Sequence, residues 1–522
     1  ATGSPTDPTS GLGMATFLLG GTCSFDRAVF NGEPAERQST LGLYAQDIWR
    51  ITPKLTLNYG LRWDYFTPVT SPYKGGLANF DPSTGQILLA GVGQVSDSAN
   101  VTTPYNDFAP RLGLAYKLTQ NTVILAGLGR SFFSSGYDAT FYHLTSGYPI
   151  VTQQQVSQTN VYQSVFPINV TPPAATVPAL PSSGMLTAPD NVTLKTRQLN
   201  WKTETMDSWN VTIQQAVGHG ATLSMSYVGN KGTHLNWQPN INAANIGPGS
   251  LLSRRPFYQA YGLSQGISLA CNCSDSNYNA MNVVFNKQLS SFYTMNSNFT
   301  WSKAMGYGAF WSATTYNRAI DYGPGGGTIN SASIDRKFAW ITTHTLNLPY
   351  GPGRPFGSGA TGVRKYVLAG WVFSGVTSVE SGLAFSPSVS SNATLNADFQ
   401  QRPDLVQGMS PSNVPGGQRS ALWFNPAAFS IPTCCRFGYA SVGSLRGPGL
   451  VNADWSLSKD FIFSSVLNRE ATRIQIRAEA FNVWNNTNLG QPNASVDQAS
   501  AGQITSLQSP MRAMEFGVHI YF

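Results

Sequence analysis

Gly262-Leu263-Ser264-Gln265-Gly266 fits the G-x-S-x-G pattern of serine hydrolases, whose nucleophile must sit on a tight turn between a buried strand and a helix. Its flanks here are Tyr258 to Tyr261 and Ile267 to Cys271, and no helical period follows, so a plain loop is expected. The glycine run Gly323 to Gly327 has backbone amides that could cradle a phosphate. Neither Lys-Ser nor Lys-Thr follows it, and no helix opens there, which again leaves a loop. Cys271-Asn272-Cys273 and the vicinal pair Cys434-Cys435 contain no CxxC, and with Cys23 they are too few and oddly placed for a disulfide framework. Disulfides that staple loops are favoured over a metal site shared with His234. The histidines His143, His219, His234, His344 and His519 lack ligand spacing. A glycosidase needs two carboxylates across a cleft, and most of the 25 acidic residues fall in loops or turns. No enzyme, metal or cofactor is expected.

Composition narrows the class. Of 522 residues, charged ones make up only 11%, against about 25% in an ordinary soluble domain. Aromatic residues reach 12% and the apolar set 41%, which excludes a disordered chain. No window of 18 consecutive apolar residues occurs, which excludes a helical membrane protein. The net charge of +7 is spread without any block of like charges, so a nucleic-acid footprint is missing. What remains is a large β-protein whose surface is covered by Ser, Thr, Asn, Gln and aromatic residues.

The elements that would carry any site are strands. Leu55, Leu57, Tyr59, Leu61, Trp63 and Tyr65 alternate with Thr56, Asn58, Gly60, Arg62 and Asp64, a period of two. The same alternation recurs at Leu223 to Tyr227 and at Tyr293 to Trp301. Roughly thirteen such runs occur between Ser39 and Phe522, each about as long as a tilted strand that crosses a bilayer. Short turns at Thr52-Pro53, Thr119 to Asn121, Gly218 to Gly220 and Ser290-Ser291 take turns with long connections. The long ones are Thr67 to Asp107, Ser134 to Asn200, Lys231 to Ser276, Ala304 to Ser333, Gly382 to Gly449 and Asn485 to Pro510. Unstructured loops of that size count against a compact soluble domain. They suit an outer-membrane barrel, with tight periplasmic turns on one side and long extracellular loops on the other. The periplasmic connection Pro349 to Arg364 is longer, and rich in Gly and Pro. The fold class is therefore all-β, an antiparallel transmembrane outer-membrane β-barrel.

This frame assigns candidate roles. Leu57, Trp63, Phe299 and Phe516 face lipid, and Lys459 falls on an apolar face that tolerates it only near the periplasmic rim. Arg62, Asp64, Arg477 and Glu479 lie on polar strand faces, as charges of a lumen wall expected to pair with neighbours and to bridge to a plug rather than to touch substrate. The loop aromatics Trp237, Tyr258, Tyr261, Trp311, Tyr316 and Trp423 are the candidates for binding an extracellular ligand, an oligosaccharide or peptide, because stacking faces on loops suit both. Phe516, Val518, Ile520 and Phe522 form an apolar face ending on a C-terminal aromatic, similar to the signature read by the barrel assembly machinery.

Several motifs carry a resemblance to the TonB-dependent receptors of Gram-negative outer membranes, and within them to the Oar-like branch. They are Leu43-Tyr44-Ala45-Gln46-Asp47-Ile48-Trp49 with Leu57 to Arg62, Ala109-Pro110-Arg111-Leu112-Gly113, and Ser226-Tyr227-Val228-Gly229-Asn230-Lys231-Gly232. Trp301-Ser302-Lys303-Ala304, Leu445-Arg446-Gly447-Pro448-Gly449 and Arg477 to Asn486 complete the set, in the order of the family's barrel. The resemblance implies a barrel of about 22 strands around a plug, importing a bound substrate with energy delivered by the TonB complex through that plug. The sequence reads as the C-terminal part of such a barrel: residues 1–38 as an incomplete N-terminal loop segment, and 39–522 as barrel, without plug or regulatory-like domain. Too few strands are present to close it, so an open, curved sheet is expected. A structural or adhesive outer-membrane barrel that binds a surface partner without transport is the rival reading.

Overall fold

The computed structural model describes residues 13–134, 144–157, 164–218, 220–237, 239–289, 292–307, 330–331, 335–391, 401–436, 438–463 and 472–521. Trp311, Tyr316, Phe522, His143, His219, the Gly323 to Gly327 run and the Ser290-Ser291 turn lie outside them. Thirteen strands form one continuous sheet: β1 (Thr40–Thr52), β2 (Leu55–Phe66), β3 (Asp107–Lys117), β4 (Thr122–Phe133), β5 (Glu204–Gly218), β6 (Ala221–Trp237), β7 (Ser268–Leu289), β8 (Tyr293–Tyr307), β9 (Phe338–Asn347), β10 (Trp371–Glu380), β11 (Leu450–Phe463), β12 (Thr472–Phe481) and β13 (Ala513–Tyr521). Each pairs antiparallel with its neighbour in the chain, in the order and number that the alternation predicts. Among the described residues β1 and β13 do not pair, and the sheet is open.

Pleating sends alternate side chains to opposite faces, and the register lines those faces up across strands. Leu43 pairs with Trp63 and Trp63 with Phe108, while Leu57 sits between Trp49 and Leu114. Further along, Val283, Phe299, Trp340, Val379 and Val451 form one row, and Ala478 pairs with Phe516. This face is apolar and open, with Phe516 79% exposed. A surface of that kind is tolerated only against lipid. The opposite face carries rows such as Thr212, Ser226, Asn282 and Thr300. Thr212 and Ser226 bridge their hydroxyls at 2.9 Å.

Lys459 confirms the register. It shares the apolar face with Ile476 and pairs with Trp371, the first residue of β10. Its ammonium lies 5.4 Å from the Trp371 ring and 5.0 Å from the Phe461 ring, and donates to the Ala369 carbonyl. Trp371 follows the short-connection side, where the helix α3 (Gly362–Leu368) occupies part of the Gly- and Pro-rich link. The cation therefore sits at the rim, its stem along apolar surface and its head at a polar group. Two other short helices are described, α1 (Gly13–Leu18) and α2 (Pro256–Tyr261).

The described long connections depart from the expectation of unstructured loops, since Thr67 to Asp107, Ser134 to Asn200, Lys231 to Ser276, Gly382 to Gly449 and Asn485 to Pro510 contribute to two packed caps. In the first, Ala78–Asp81, Gln86–Leu89 and Met185–Thr187 form a three-stranded sheet. Phe80, Ile87, Leu89, Ile150, Leu263 and Ile267 make its core, which draws on three separate connections. A second cluster, with Val69, Leu77, Val95 and Leu144, extends it. Ser24–Phe30 pairs with Val151–Ser157, which ties the described N-terminal residues to this cap. The other cap gathers Phe385, Phe424, Phe429, Leu445 and Val496 from the β10–β11 and β12–β13 connections. β6 and β7 also run past the expected ends of Lys231 and Ser276, pairing as far as Trp237 with Cys271.

Candidate functional site

The polar face of the sheet and the caps above it are where the structure can meet a ligand. Charged wall residues pair locally within the sheet. Arg62 reaches Asp64 at 2.7 Å and Arg477 reaches Glu479 at 3.2 Å. Partners two apart on one strand project to the same face, so each pair closes within its own strand.

The loop aromatics divide. Trp237 is 3% exposed, packed on Cys271, Leu269 and Cys273, so its ring offers no open stacking face. Tyr261 is the staple of a turn: its hydroxyl donates to the Ser83 carbonyl at 2.9 Å and the Pro82 carbonyl at 3.3 Å. Its ring covers Gly85, where a Cβ would come within 2.6 Å of it. Trp423 is half-buried, and its indole N–H donates to the Arg446 carbonyl at 2.8 Å. Trp237 and Trp423 are spent on the packing of their own loops, whereas Tyr261 is anchored through its hydroxyl and stays 37% exposed. Tyr258, on α2, is 38% exposed and keeps an open face.

The hydrolase-like serine is also a staple. Ser264 donates through both its hydroxyl and its backbone N–H to Asp190, each at 2.6 Å, and those bonds hold the Asp190 carboxyl below the usual range. The cysteines bond to their nearest neighbours in sequence, Cys271 to Cys273 and Cys434 to Cys435, while Cys23 is free. Neither bond joins distant loops, contrary to the stapling expected of them. Among the described residues no group of three or more His, Cys, Asp or Glu side chains could hold a metal ion.

The residue that sequence reasoning missed is Asp335. Its side chain is fully buried between two motif cations: Lys303 lies 3.2 Å away and Arg446 contacts it directly. The Ala304 N–H donates to it at 2.6 Å, and Arg446 also donates to its carbonyl at 2.7 Å. Burial pushes its carboxyl up, but the Ala304, Arg446 and Lys303 hydrogen bonds outweigh that and hold it below the usual range. Beside it, Arg336 pairs with Glu380 at 2.9 Å. The node fastens the connection before β9 to β8 and to the second cap. A signal existed: two motifs each carried a cation with no acid near in sequence.

The last motif has a similar logic. Asn482 holds a left-handed backbone (φ +48°), and its side chain donates to the Asn486 and Pro510 carbonyls. Asp454 accepts from the Asn482 N–H at 2.8 Å. In the second cap Arg436 grips Asp404 at 2.5 Å. That pairing, with the Tyr439 N–H, keeps the Asp404 carboxyl low against the effect of burial.

The profile of a family described as outer membrane beta barrel domain matches residues 1–515. A search of the curated proteins gives no match. Among solved structures the chain is similar to the outer membrane transporter YddB of Escherichia coli, at 12% identity and TM-score 0.45, covering 92% of this chain and 45% of that one. A mutant ferric enterobactin receptor PfeA of Pseudomonas aeruginosa matches at 11% identity and TM-score 0.43, covering 92% of this chain and 44% of that one. The siderophore receptor PiuA of Acinetobacter baumannii matches at 10% identity and TM-score 0.41, with 93% and 44% covered. The chain thus spans less than half the length of these solved structures.

Proposed function

The chain belongs to the outer membrane β-barrel domain family and lies in the outer membrane of a Gram-negative bacterium, and from that membership we propose that it forms the wall of a TonB-dependent transporter. Its extracellular caps bind a substrate, which then passes along the polar face of the sheet to the periplasm. The observation that carries this reading is the inner wall itself. Eight strands already make a barrel whose interior side chains can fill it, and here thirteen strands present a wall with many Ser, Thr and Asn side chains and with glycines that leave gaps between them. Closed into a barrel, such a wall would surround space that its own side chains do not fill. It does no covalent chemistry in this scheme; it binds and passes.

The motifs favour the Oar-like branch, with residues 39–522 as barrel and 1–38 as an incomplete N-terminal loop segment, of which Ser24–Phe30 pairs with the first cap. The partners would be the TonB complex, acting through a plug, and the barrel assembly machinery, reading β13. Lipid would cover the apolar face. The test is uptake by the full-length protein in cells. Collapsing the proton-motive force should abolish uptake while surface binding persists. Uptake that survives the collapse refutes TonB coupling. Binding without uptake under any condition would favour an adhesive barrel, a reading supported by the caps, which are folded surfaces with cores of their own.

A further inference from the structure

The charges of the sheet are unevenly placed between its two faces. On the seven consecutive strands β4 to β10, the register away from its bulges assigns residues alternately to the lipid face and the lumen face. Arg130, Asp207, Lys231, Asp275, Lys287 and Lys303 all share the parity of the lipid-facing rows, five of them toward the extracellular ends and Lys287 toward the periplasmic turn. On the lumen parity of these strands, among the described residues, the only charged side chains are Glu204 and Glu380. Both stand at the extracellular ends, and Glu380 is neutralised by Arg336. Charges return to the lumen wall on the flanking strands, as Arg62 and Arg111 on one side and Arg477 and Glu479 on the other.

The neutral sector is polar. Thr212, Ser226, Asn282 and Thr300 stand side by side across β5 to β8, and Asn296 donates to Asn286 a few residues nearer the periplasmic turn. Hydroxyls and carboxamides each both donate and accept. A lattice of them is complementary to another molecule whose groups do both, at any point along the wall. It gives no counter-charge to an anion or cation, whose hydration would be lost in a confined lumen without compensation. Pore-lining groups of this kind select by hydrogen bonding rather than by charge.

We propose that the substrate passed along this wall is a neutral, hydroxyl-rich molecule, an oligosaccharide without acidic or basic groups, with β5 to β8 as its contact face. The inference rests on the transporter reading and names its substrate class.

The experiment measures uptake by cells carrying the full-length protein against cells lacking it. Four probes are compared: a neutral glucose hexamer, an oligogalacturonate of the same length, a chitosan oligomer and a ferric catecholate. Neutral hexamer should enter about tenfold faster than oligogalacturonate, the scale on which charge steers entry. Asn282→Lys should shift the ratio toward oligogalacturonate by about threefold or more. If that variant fails to reach the folded, heat-modifiable form, Asn296→Lys, nearer the rim, makes the same test. Preferred uptake of the uronate, chitosan or ferric probe overturns the proposal, as does uptake of none of the four. The two readings fail separately: energised uptake of a charged probe refutes the substrate class alone, and neutral uptake that survives loss of the proton-motive force refutes TonB coupling alone.

Discussion

Replacing Asp335 by Asn should loosen the second cap without unfolding the sheet. The carboxylate is fully buried, but its partners Lys303 and Arg446 are 45% and 34% exposed. Breaking a buried ion pair costs about 3–5 kcal/mol when the orphaned charge stays dry. Here both cations can turn to water, and asparagine can still accept from the Ala304 N–H. The cost should fall to about 2 kcal/mol, near the value of a single charge-assisted hydrogen bond. At about 1.4 kcal/mol per decade, the fraction of open cap rises roughly thirtyfold. The assay is limited proteolysis of intact cells, following cleavage between residues 381 and 449. When opening is fast relative to cutting, the rate tracks the open population. The heat-modifiable shift of the sheet should stay where it is. A cleavage rate within about twofold of the parent would refute the assignment of Asp335 as the node.

Acid should act through the same groups. Asp335 and Asp404 are both held below the usual carboxylate range, so their contribution is complete above the unfolded value of about 3.9 and lost as pH falls through the lower folded value. Protease resistance of the second cap should therefore be level down to about pH 4 and decline below it, and Asp335→Asn with Asp404→Asn should remove that acid transition. At Gly229 a Cβ would lie 2.4 Å from the Trp209 ring; Gly229→Ala should destabilise the folded barrel by about 1–3 kcal/mol, read from its heat-modifiable midpoint, and Trp209→Leu should restore it. Deleting Phe522 should lower the yield of folded barrel in outer membranes, whereas Phe516→Ala, on a ring that is 79% exposed, should leave yield near the parent level; equal yields for both would remove the assembly role.

Strands were legible in the sequence because their signal is local. Alternation at Leu55 to Tyr65 needs no knowledge of partners, and the same rule places Lys459 on the apolar face and Arg62 and Asp64 on the polar one. The caps were not legible for the converse reason. Their cores join Phe80 to Ile150 and Ile267, residues with no shared period. Trp237 and Tyr258 look alike as loop aromatics, yet one is buried and the other open, because Cys271 packs on Trp237 from 34 residues away in a paired strand. Asp335 binds Arg446 across 111 positions, a separation at which no motif spacing points to a partner. The candidate site was thus visible as a wall and only partly visible as a binding surface.

Where the apolar residues went also decides how mutations will separate. The largest fully buried side chains, Phe80, Leu77, Ile87, Leu89, Ile150 and Ile267, all belong to the first cap. The sheet buries little of its own: Trp301, Trp340 and Phe516 on its outer face are open to the surroundings. Removing one of these outer residues costs only what hydrocarbon gave it, and a cavity cannot form beside lipid as it does in a close-packed core. A cap residue such as Phe80 has no such relief, and its loss falls on the cap while the ladder of backbone hydrogen bonds below is untouched. Under the proposed function, binding and folding draw on different parts of the chain: defects in the wall should appear as failed assembly, and defects in the caps as assembled protein that has lost its ligand.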